Sequence, residues 1–441
     1  MSITIIGGGL AGCEAAWVAS SFGLKVRLLE MKPARFSPAH NSVDLAELVC
    51  SNSLRSAELS SAVGLLKEEL RILGSLIINV ADQTAVPAGR ALAVDRDLFS
   101  RLVTRRINEN DLIEVERAEI DSIPDAANGP VIIATGPLTS EAMAAEIAGL
   151  VGEKSLSFYD AIAPIVAHDS LDMTKMFRAS RYDEGEGAYL NAPMDQTTYE
   201  TFVNAILAAE KVNPHPFEDI QHFEGCLPIE ELARRGIQTL SFGPMKPVGL
   251  IDPATGKRPY AVVQLRAENA GGTLYNLVGF QTKMTYPEQQ RIFRMIPGLE
   301  NAEFERLGSV HRNTYLDAPT VLDDYSRCKN YPHVFFAGQI TGVEGYVEST
   351  ASGFVVGLYA SLFSTGIQPI IPPSNTAIGA LMKHTRDLPV KKYEPMNVNY
   401  GMMDEVRTRS RKEKKELRAK IAMESIRSWK SWIDGLPSNR S

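Results

Sequence analysis

Ser2-Ile3-Thr4-Ile5-Ile6-Gly7-Gly8-Gly9-Leu10-Ala11-Gly12-Cys13-Glu14-Ala15-Ala16 is the stretch that decides the fold of this chain. A β-branched apolar run leads into G-x-G-x-x-G and then into small residues typical of a helix, which is the order of a dinucleotide-binding βαβ unit. Gly7 suits the tight turn, Gly9 the close approach of backbone to a pyrophosphate, and Gly12 the close packing of helix on strand. The N–H groups at the start of the helix suit phosphate binding. The residues expected to hold the dinucleotide here are Gly7, Gly8, Gly9, Leu10, Ala11 and Gly12.

A second strand pattern, Lys25-Val26-Arg27-Leu28-Leu29-Glu30, follows the helix and ends in an acidic residue 18 positions after Gly12. A carboxylate at this place can accept hydrogen bonds from the hydroxyls of an adenosine ribose. Glu30 is therefore a predicted cofactor-binding residue. A purely structural βαβ turn is the alternative interpretation of the same pattern.

The bulk composition is that of a globular protein with room for two to three domains: 441 residues, 44% hydrophobic and 22% charged. No apolar run is long enough to span a membrane, and no basic segment precedes the first strand as it would in a signal peptide. The cysteines form neither a C-x-x-C pair nor a zinc-binding pattern; they are Cys13, Cys50, Cys226 and Cys328. We therefore expect no metal site and a cytoplasmic protein with reduced thiols.

Charge is unevenly distributed along the chain. The net charge is −7, yet residues 407–420 carry eight basic and two acidic side chains, a local charge of +6. A local polyanion-binding site would have this asymmetry. A solvated helix face is the equally open alternative.

The order of patterns predicts a dinucleotide fold split by an insertion. Val131–Gly136 is an apolar run ending in Ala-Thr-Gly, and Val334–Tyr346 is another that leads into a Gly-rich turn. Between them lie short period-2 stretches separated by glycines and prolines, which indicate an antiparallel sheet. We predict an α/β protein whose dinucleotide-binding domain comprises residues 1–165 and 316–441, the latter with a basic helical tail, around a substrate-facing α+β domain at 166–315.

Two thiols lie in surroundings that suit chemistry. Cys50 is in Leu48-Val49-Cys50-Ser51-Asn52-Ser53-Leu54-Arg55-Ser56, where free N–H groups and Arg55 would favour the thiolate, and Cys226 follows Gly225 and precedes Pro228 in a fixed loop. A thiolate added to carbon 6 of a uracil makes carbon 5 nucleophilic toward a one-carbon unit. The alternatives are disulfide oxidoreduction and two buried structural cysteines.

These residues resemble the family of bacterial folate- and FAD-dependent tRNA (uracil-5-)-methyltransferases. The resemblance runs from residue 3 to beyond residue 350, and its most specific pieces are Phe223-Glu224-Gly225-Cys226-Leu227-Pro228-Ile229-Glu230 and Phe242-Gly243-Pro244-Met245-Lys246-Pro247-Val248-Gly249-Leu250. It implies a Rossmann-like FAD-binding domain of the glutathione-reductase type, shared with the wobble-uridine flavoproteins. It also implies that reduced FAD carries a carbon from 5,10-methylenetetrahydrofolate to carbon 5 of uridine 54 in the tRNA T-loop, with NAD(P)H as reductant.

The resemblance also implies roles for single residues. Cys226 would act on the uracil, Cys50 would be a second functional thiol near the flavin, and Tyr346 would cover the isoalloxazine or be an ordinary structural aromatic. Gly338, Gln339 and Gly342 would lie at the flavin end of the cofactor. Lys246 and Lys283 would meet a folate tail or RNA phosphate, or be plain surface residues. The implied partners are the tRNA T-arm, folate and NAD(P)H, with no membrane and no obligate protein partner.

Four alternatives remain open from the sequence. The same chemistry could act on ribosomal RNA. A wobble-uridine flavoprotein with a GTPase partner would share the nucleotide turn, but it would be a longer chain. An NAD(P)H:disulfide or quinone oxidoreductase would turn over small acceptors. A non-catalytic flavin-dependent RNA-binding module would bind RNA without making a product.

Overall fold

The structure is a computed structural model that describes residues 2–152, 155–161, 163–181, 187–212, 227–308, 310–387, 393–406 and 410–437. Its strands are β1 (Ser2–Ile6), β2 (Lys25–Glu30), β3 (Ser53–Ser56), β4 (Ala85–Val86), β5 (Ala91–Val94), β6 (Ile113–Arg117), β7 (Val131–Ile133), β8 (Ser155–Ala161), β9 (Ile165–Ala167), β10 (Phe177–Ala179), β11 (Tyr189–Met194), β12 (Ala261–Ala267), β13 (Leu274–Leu277), β14 (Phe304–Arg306), β15 (Val310–Leu316), β16 (Arg327–Cys328) and β17 (Tyr331–Phe336). Its α-helices are α1 (Leu10–Ser21), α2 (Ala62–Leu73), α3 (Leu76–Gln83), α4 (Arg96–Asn108), α5 (Glu141–Val151), α6 (Gln196–Ala208), α7 (Ile229–Arg234), α8 (Thr239–Phe242), α9 (Tyr286–Phe293), α10 (Ala318–Val321), α11 (Tyr346–Ser364), α12 (Ala377–His384) and α13 (Arg411–Asp434).

The opening stretch forms the centre of a six-stranded sheet with the order β16-β17-β7-β1-β2-β6. Five of these strands are parallel and only β16, at one edge, is antiparallel. Ile5 is in register with Leu28 on one side and Ile132 on the other, and all three are buried. The predicted α/β fold with a Rossmann-like core is therefore confirmed. This sheet combines strands from both ends of the chain. Because β1, β7 and β17 are parallel, their carboxyl ends meet along one edge.

Helix α1 packs directly against α11, and small residues set that distance. A Cβ atom added to Gly353 would lie 2.3 Å from the carbonyl oxygen of Ala11, and one added to Gly357 would lie 2.8 Å from the Cα of Ala15. These small residues of α11 therefore allow it to pack against the helix whose N-terminus faces the expected phosphate site.

The inserted part contains a second six-stranded sheet, with the order β10-β11-β12-β13-β9-β14 and antiparallel pairing throughout. Helices α6, α7 and α9 contribute to its core, which includes the buried Tyr199, Phe202, Phe280 and Phe293. This matches the α+β insertion predicted above. β8 and β15 pair with each other where the chain enters and leaves this region. The exact domain boundaries remain a prediction.

From Arg411 onward, the basic tail forms α13, which docks one face on the nucleotide-binding half. Ala419, Ala422, Ile426 and Trp429 are buried, and the indole N–H of Trp429 donates to the carbonyl oxygen of Ile370 at 3.0 Å. The tail is thus part of the fold. No helix in the described part of the chain combines the length and apolarity that a membrane crossing requires.

Candidate functional site

A cleft opens at the carboxyl edge of the parallel sheet. Its walls come from the Gly-rich turn, the end of β2, the turn after β7 and the turn after β17. Ligands of open parallel sheets bind at this edge. Among the residues predicted to hold the cofactor, those that line the cleft are Gly7, Gly8, Gly9, Leu10, Ala11, Glu30, Gly338 and Gln339, together with Tyr346.

The three motif glycines have the three different environments expected from their spacing. A Cβ atom on Gly7, whose φ is +107°, would lie 2.5 Å from the carbonyl oxygen of Ala134. One on Gly12 would lie 1.8 Å from the carbonyl oxygen of Gly7, whereas one on Gly9 would have no protein atom within 4 Å. Gly7 and Gly12 are therefore needed by the fold itself. Gly9 leaves open space at the N-terminus of α1, as a bound pyrophosphate requires.

Glu30 is held in place at the end of β2. Its carboxylate accepts hydrogen bonds from the backbone N–H groups of Gly8 at 2.8 Å and Lys32 at 3.0 Å. These contacts fix the carboxylate at the cleft wall. That it accepts hydrogen bonds from the hydroxyl groups of a ribose stays a prediction.

The turn after β17 supplies the other wall. The N–H of Gly338 donates to the Ser352 hydroxyl at 3.0 Å, and the Gln339 amide donates to Glu344 at 2.7 Å. Gly342 has a φ of +84° and packs against the ring of Tyr393, so it shapes the turn without lining the cleft. Gly12 likewise contributes through packing.

Cys50 and Tyr346 meet beside the cleft although 296 positions separate them in the chain. The Cys50 sulfur lies 2.9 Å from the Tyr346 phenol oxygen. That oxygen accepts the N–H of Cys50 at 2.9 Å and, more weakly, the N–H of Ser51 at 3.3 Å. With both lone pairs used, the phenol proton points toward the sulfur, so Tyr346 is the donor and Cys50 the acceptor. Burial and the neighbouring Cys50 raise the pKa of Tyr346 well above 10, which keeps that proton in place at neutral pH.

Arginines surround this pair. Arg96 in α4 donates to the carbonyl oxygen of Leu48 at 2.7 Å and pairs with Glu268, while Arg266 in β12 donates to the Ser51 hydroxyl at 2.7 Å. Arg306 in β14 interacts electrostatically with Cys50 and Tyr346, and its Nε and Nη2 are buried without a hydrogen-bond partner. Burial, followed by the charge of Arg96, lowers the pKa of Arg306. Arg266 of the inserted domain thus binds the loop that carries Cys50, and the neighbouring arginines make the environment of this loop positive.

Arg55 was expected to favour a Cys50 thiolate. In the structure its guanidinium forms an ion pair with the buried carboxylate of Glu348 in α11. The guanidinium groups of Arg96 and Arg306 interact electrostatically with Cys50.

Cys226, the other predicted catalytic thiol, lies outside the described residues, as does Glu224. The chain resumes at Leu227, and Ile229 at the start of α7 donates its N–H to Gln281 at 2.7 Å. Glu230 is buried, and burial raises its pKa although the Thr282 hydroxyl donates to it. The role of Cys226 stays a prediction.

The other residues singled out from the sequence are two cysteines and two lysines. Cys13 and Cys328 are buried. Lys283 is buried in an ion pair with Glu231 at 2.5 Å, so it is not a surface residue, and Lys246 is partly exposed. No cluster of metal-ligating side chains occurs among the residues that the structure describes.

Sequence reasoning missed the Arg96, Glu268 and Arg306 cluster, as well as His40 and Glu47 in the cleft wall. None of these residues belongs to a recognisable local motif. The fold brings them to the site from α4, from β14, from the end of β12 and from the segment between β2 and β3.

Comparison with known proteins identifies the family of this chain. The family model described as glucose inhibited division protein A matches residues 2–368. The methylenetetrahydrofolate--tRNA-(uracil-5-)-methyltransferase TrmFO of Geobacter sulfurreducens is 58% identical over 433 residues, covering 98% of this chain and 99% of that protein. The protein of the same name from Geotalea uraniireducens is 59% identical over 435 residues, 98% of this chain and 99% of its own length.

Among solved structures, Aquifex aeolicus GidA superposes with a TM-score of 0.72 at 16% identity, covering 99% of this chain and 74% of that one. This likeness concerns the fold alone, and a quarter of the GidA chain has no counterpart here. The chain belongs to the glucose-inhibited division protein A family and, within it, to the TrmFO methyltransferases.

Proposed function

We propose that this protein methylates carbon 5 of uridine 54 in the tRNA T-loop, with 5,10-methylenetetrahydrofolate as the carbon donor. The observation that carries the proposal is a thiol, Cys50, beside a dinucleotide cleft, in a chain 58% identical to a methyltransferase named for this donor and this base. We further propose NAD(P)H as the reductant and activity without an obligate protein partner.

FAD fits the cleft. Gly9 leaves room for a pyrophosphate, Glu30 faces the place of the adenosine ribose, and Gly338 and Gln339 line the wall contributed by β17. When bound there, FAD supplies the electrons and carries the one-carbon unit. The residues of the chain hold it, orient it and control the protons around it.

In this proposal, Cys226 and Cys50 have different chemical roles. The Cys226 thiolate adds to carbon 6 of the uracil, which makes carbon 5 nucleophilic. After carbon 5 has gained the one-carbon unit, its proton leaves to a base, and the C6–S bond breaks to restore the ring and the thiolate. The transferred carbon is still at the methylene level, so its bond to the carrier must break with the gain of a hydride, which reduced FAD would supply, to leave a methyl group. In this proposal, Cys50 acts as an acid or base near the flavin. Its contact with Tyr346 and its interactions with Arg96 and Arg306 support this role.

Single cysteine replacements test this division. We expect Cys226→Ala and Cys50→Ala to retain bound FAD, which visible absorbance reports, and to lose methyl transfer to tRNA by at least about a hundredfold. Cys328→Ala is the matched control, because this thiol is buried, with 2% of its surface exposed, and does not line the cleft. Full activity of the Cys226→Ala enzyme would overturn the role proposed for that thiol.

A further inference from the structure

The inserted domain has an aromatic side chain that is exposed to solvent, although burial of such a side chain would stabilise the fold more. Phe242, at the end of α8, is 77% exposed, the highest value among the large apolar side chains that the structure describes. Ile251 at 59% and Ile237 at 43% are exposed on the same segment. Large apolar side chains exposed within one segment of a globular protein indicate a candidate contact surface.

The segment is held rigidly in this position. Leu240, Met245 and Leu250 are buried between the exposed residues and anchor the segment in the core. The Tyr199 hydroxyl donates to the carbonyl oxygen of Ile237 at 2.6 Å and accepts the N–H of Ser241 at 3.1 Å. Because Phe242 follows directly, its ring is presented outward by a fixed backbone.

The same segment is basic. From the start of α7 to the start of β12, residues 229–260 contain five basic and three acidic side chains, in a chain of net charge −7. Among the acidic ones, Glu230 is buried, and Glu231 pairs with Arg234 at 3.1 Å and with Lys283 at 2.5 Å. The third, Asp252, accepts hydrogen bonds within its own turn from the Ala254 N–H at 2.9 Å and from the Thr255 hydroxyl at 3.1 Å. We call the other basic side chains and the exposed apolar side chains of this segment the α7–β12 face; its members are Arg235, Ile237, Phe242, Lys246, Ile251, Lys257 and Arg258.

Exposed aromatic and basic groups together suit single-stranded RNA. A base can stack on an aromatic ring regardless of its identity, and Lys and Arg contact the flanking phosphates. A protein partner would match the apolar residues but would have to neutralise a net positive surface. α7 begins three residues after Cys226, so this face is close in the sequence to the proposed uracil-reactive thiol.

We infer that the α7–β12 face binds the loop of the RNA substrate, with Phe242 stacking on an unpaired base and Lys246 and its basic neighbours contacting phosphates. This inference rests on the proposed function, because it takes RNA as the substrate. It places the RNA on the inserted domain and assigns no binding role to the basic tail.

The test measures binding of fluorescein-labelled unmodified tRNA transcript to the FAD-loaded protein by anisotropy at several salt concentrations. We expect Phe242→Ala to weaken binding at least about fivefold and Phe242→Trp to retain it, because stacking contributes 1–3 kcal/mol per base. Lys246→Glu should weaken binding and lower the slope of log K against log salt by about 1.

Two control variants carry the same chemical changes at the opposite edge of the Rossmann sheet. Tyr331 begins β17 and Lys25 begins β2, both exposed and both at the amino ends of their strands. Tyr331→Ala and Lys25→Glu should bind tRNA within about twofold of the parent. Visible absorbance of bound FAD verifies that every variant is folded.

Failure of this inference can be told from failure of the proposed function. If the parent protein binds tRNA and the Phe242 and Lys246 variants match the controls, the face is not the RNA site. The inference is equally wrong if these variants change only the oligomeric state, since the face is then a protein contact. If the parent itself has no affinity for tRNA, the proposed substrate is wrong.

Discussion

At the scale of single residues, one phenol oxygen organises the loop that carries Cys50. The Tyr346 hydroxyl accepts two backbone N–H groups and directs its proton at the Cys50 sulfur. A hydrogen bond donated to sulfur stabilises the thiolate more than the thiol, and nearby guanidinium groups act in the same direction.

Tyr346→Phe tests this arrangement. Without the phenol proton, alkylation of Cys50 by iodoacetamide should require a higher pH, with its midpoint moved upward by about one unit, because one such interaction corresponds to about 1.4 kcal/mol. Mass spectrometry of the Cys50 peptide over a pH series measures the midpoint. Arg306→Leu should move it in the same direction and Arg306→Lys should restore it. An unchanged midpoint in both Tyr346→Phe and Arg306→Leu would contradict the account of this pair.

At the scale of elements, the turn between β1 and α1 separates a binding glycine from a folding glycine. The two differ only in what surrounds a Cβ atom: open space at Gly9 and a backbone oxygen 1.8 Å away at Gly12. Gly9 has a φ of −77°, which alanine adopts without strain.

We therefore expect Gly9→Ala to weaken FAD binding and Gly12→Ala to destabilise the fold. Gly9→Ala should fold, with an unfolding midpoint near that of the parent apoprotein, but bind FAD at least about tenfold more weakly since the methyl group occupies the phosphate space. Gly12→Ala should lose several kcal/mol of stability because α1 must move away from β1. Flavin titration and thermal unfolding of the apoproteins distinguish the two results, and a Gly9→Ala variant with unaltered FAD affinity would remove the phosphate from this place.

These glycines show what the sequence can predict. Turn, strand and helix are adjacent in the chain, so the spacing of Gly7, Gly9 and Gly12 was enough to predict all three environments. The cluster around Cys50 was not predictable in this way, because Arg96, Arg266 and Arg306 come from a helix and two strands of different domains. The expectation that Arg55 serves Cys50 followed from closeness in sequence, whereas the fold pairs Arg55 with Glu348.

At the scale of the whole molecule, buried carboxylates join distant helices. Glu14 in α1 accepts the N–H groups of Leu76 and Ile77 at the start of α3, and Glu69 in α2 accepts those of Ala377 and Ile378 at the start of α12. Helix N-termini favour a negative charge. Burial outweighs this effect and raises the pKa of Glu14 to about 7 and that of Glu69 to about 8.

Stability should therefore depend on pH through these groups. Because their folded-state pKa values lie above the unfolded value near 4.5, their contribution is complete below about pH 4.5 and is lost as the pH rises through 7 and 8. One such group lowers the unfolding free energy by at most about 1.4 kcal/mol per pH unit over this window. Glu69→Gln should flatten the dependence of the urea midpoint between pH 5 and 8.5, whereas the exposed Glu114→Gln should leave it unchanged; equal slopes in both variants would show that Glu69 ionises normally.

The division of the chain into a split nucleotide-binding fold and an inserted sheet was predictable because the two parts have different periodicities. The contact of the inserted sheet with the Cys50 loop was not, since it depends on Arg266 reaching Ser51 across 215 positions. The site is thus a product of the whole molecule, with the cofactor cleft on one part and a clamp from the other.

Transfer of isotope from folate to RNA tests the central claim most directly. The FAD-loaded protein would be incubated with unmodified tRNA transcript, NADPH and 5,10-methylenetetrahydrofolate labelled in its methylene carbon, and the digested RNA analysed by mass spectrometry. Our account predicts label in 5-methyluridine at position 54. Label absent from tRNA, with FAD bound and reducible, would contradict it, and label in ribosomal RNA instead would retain the chemistry but replace the substrate.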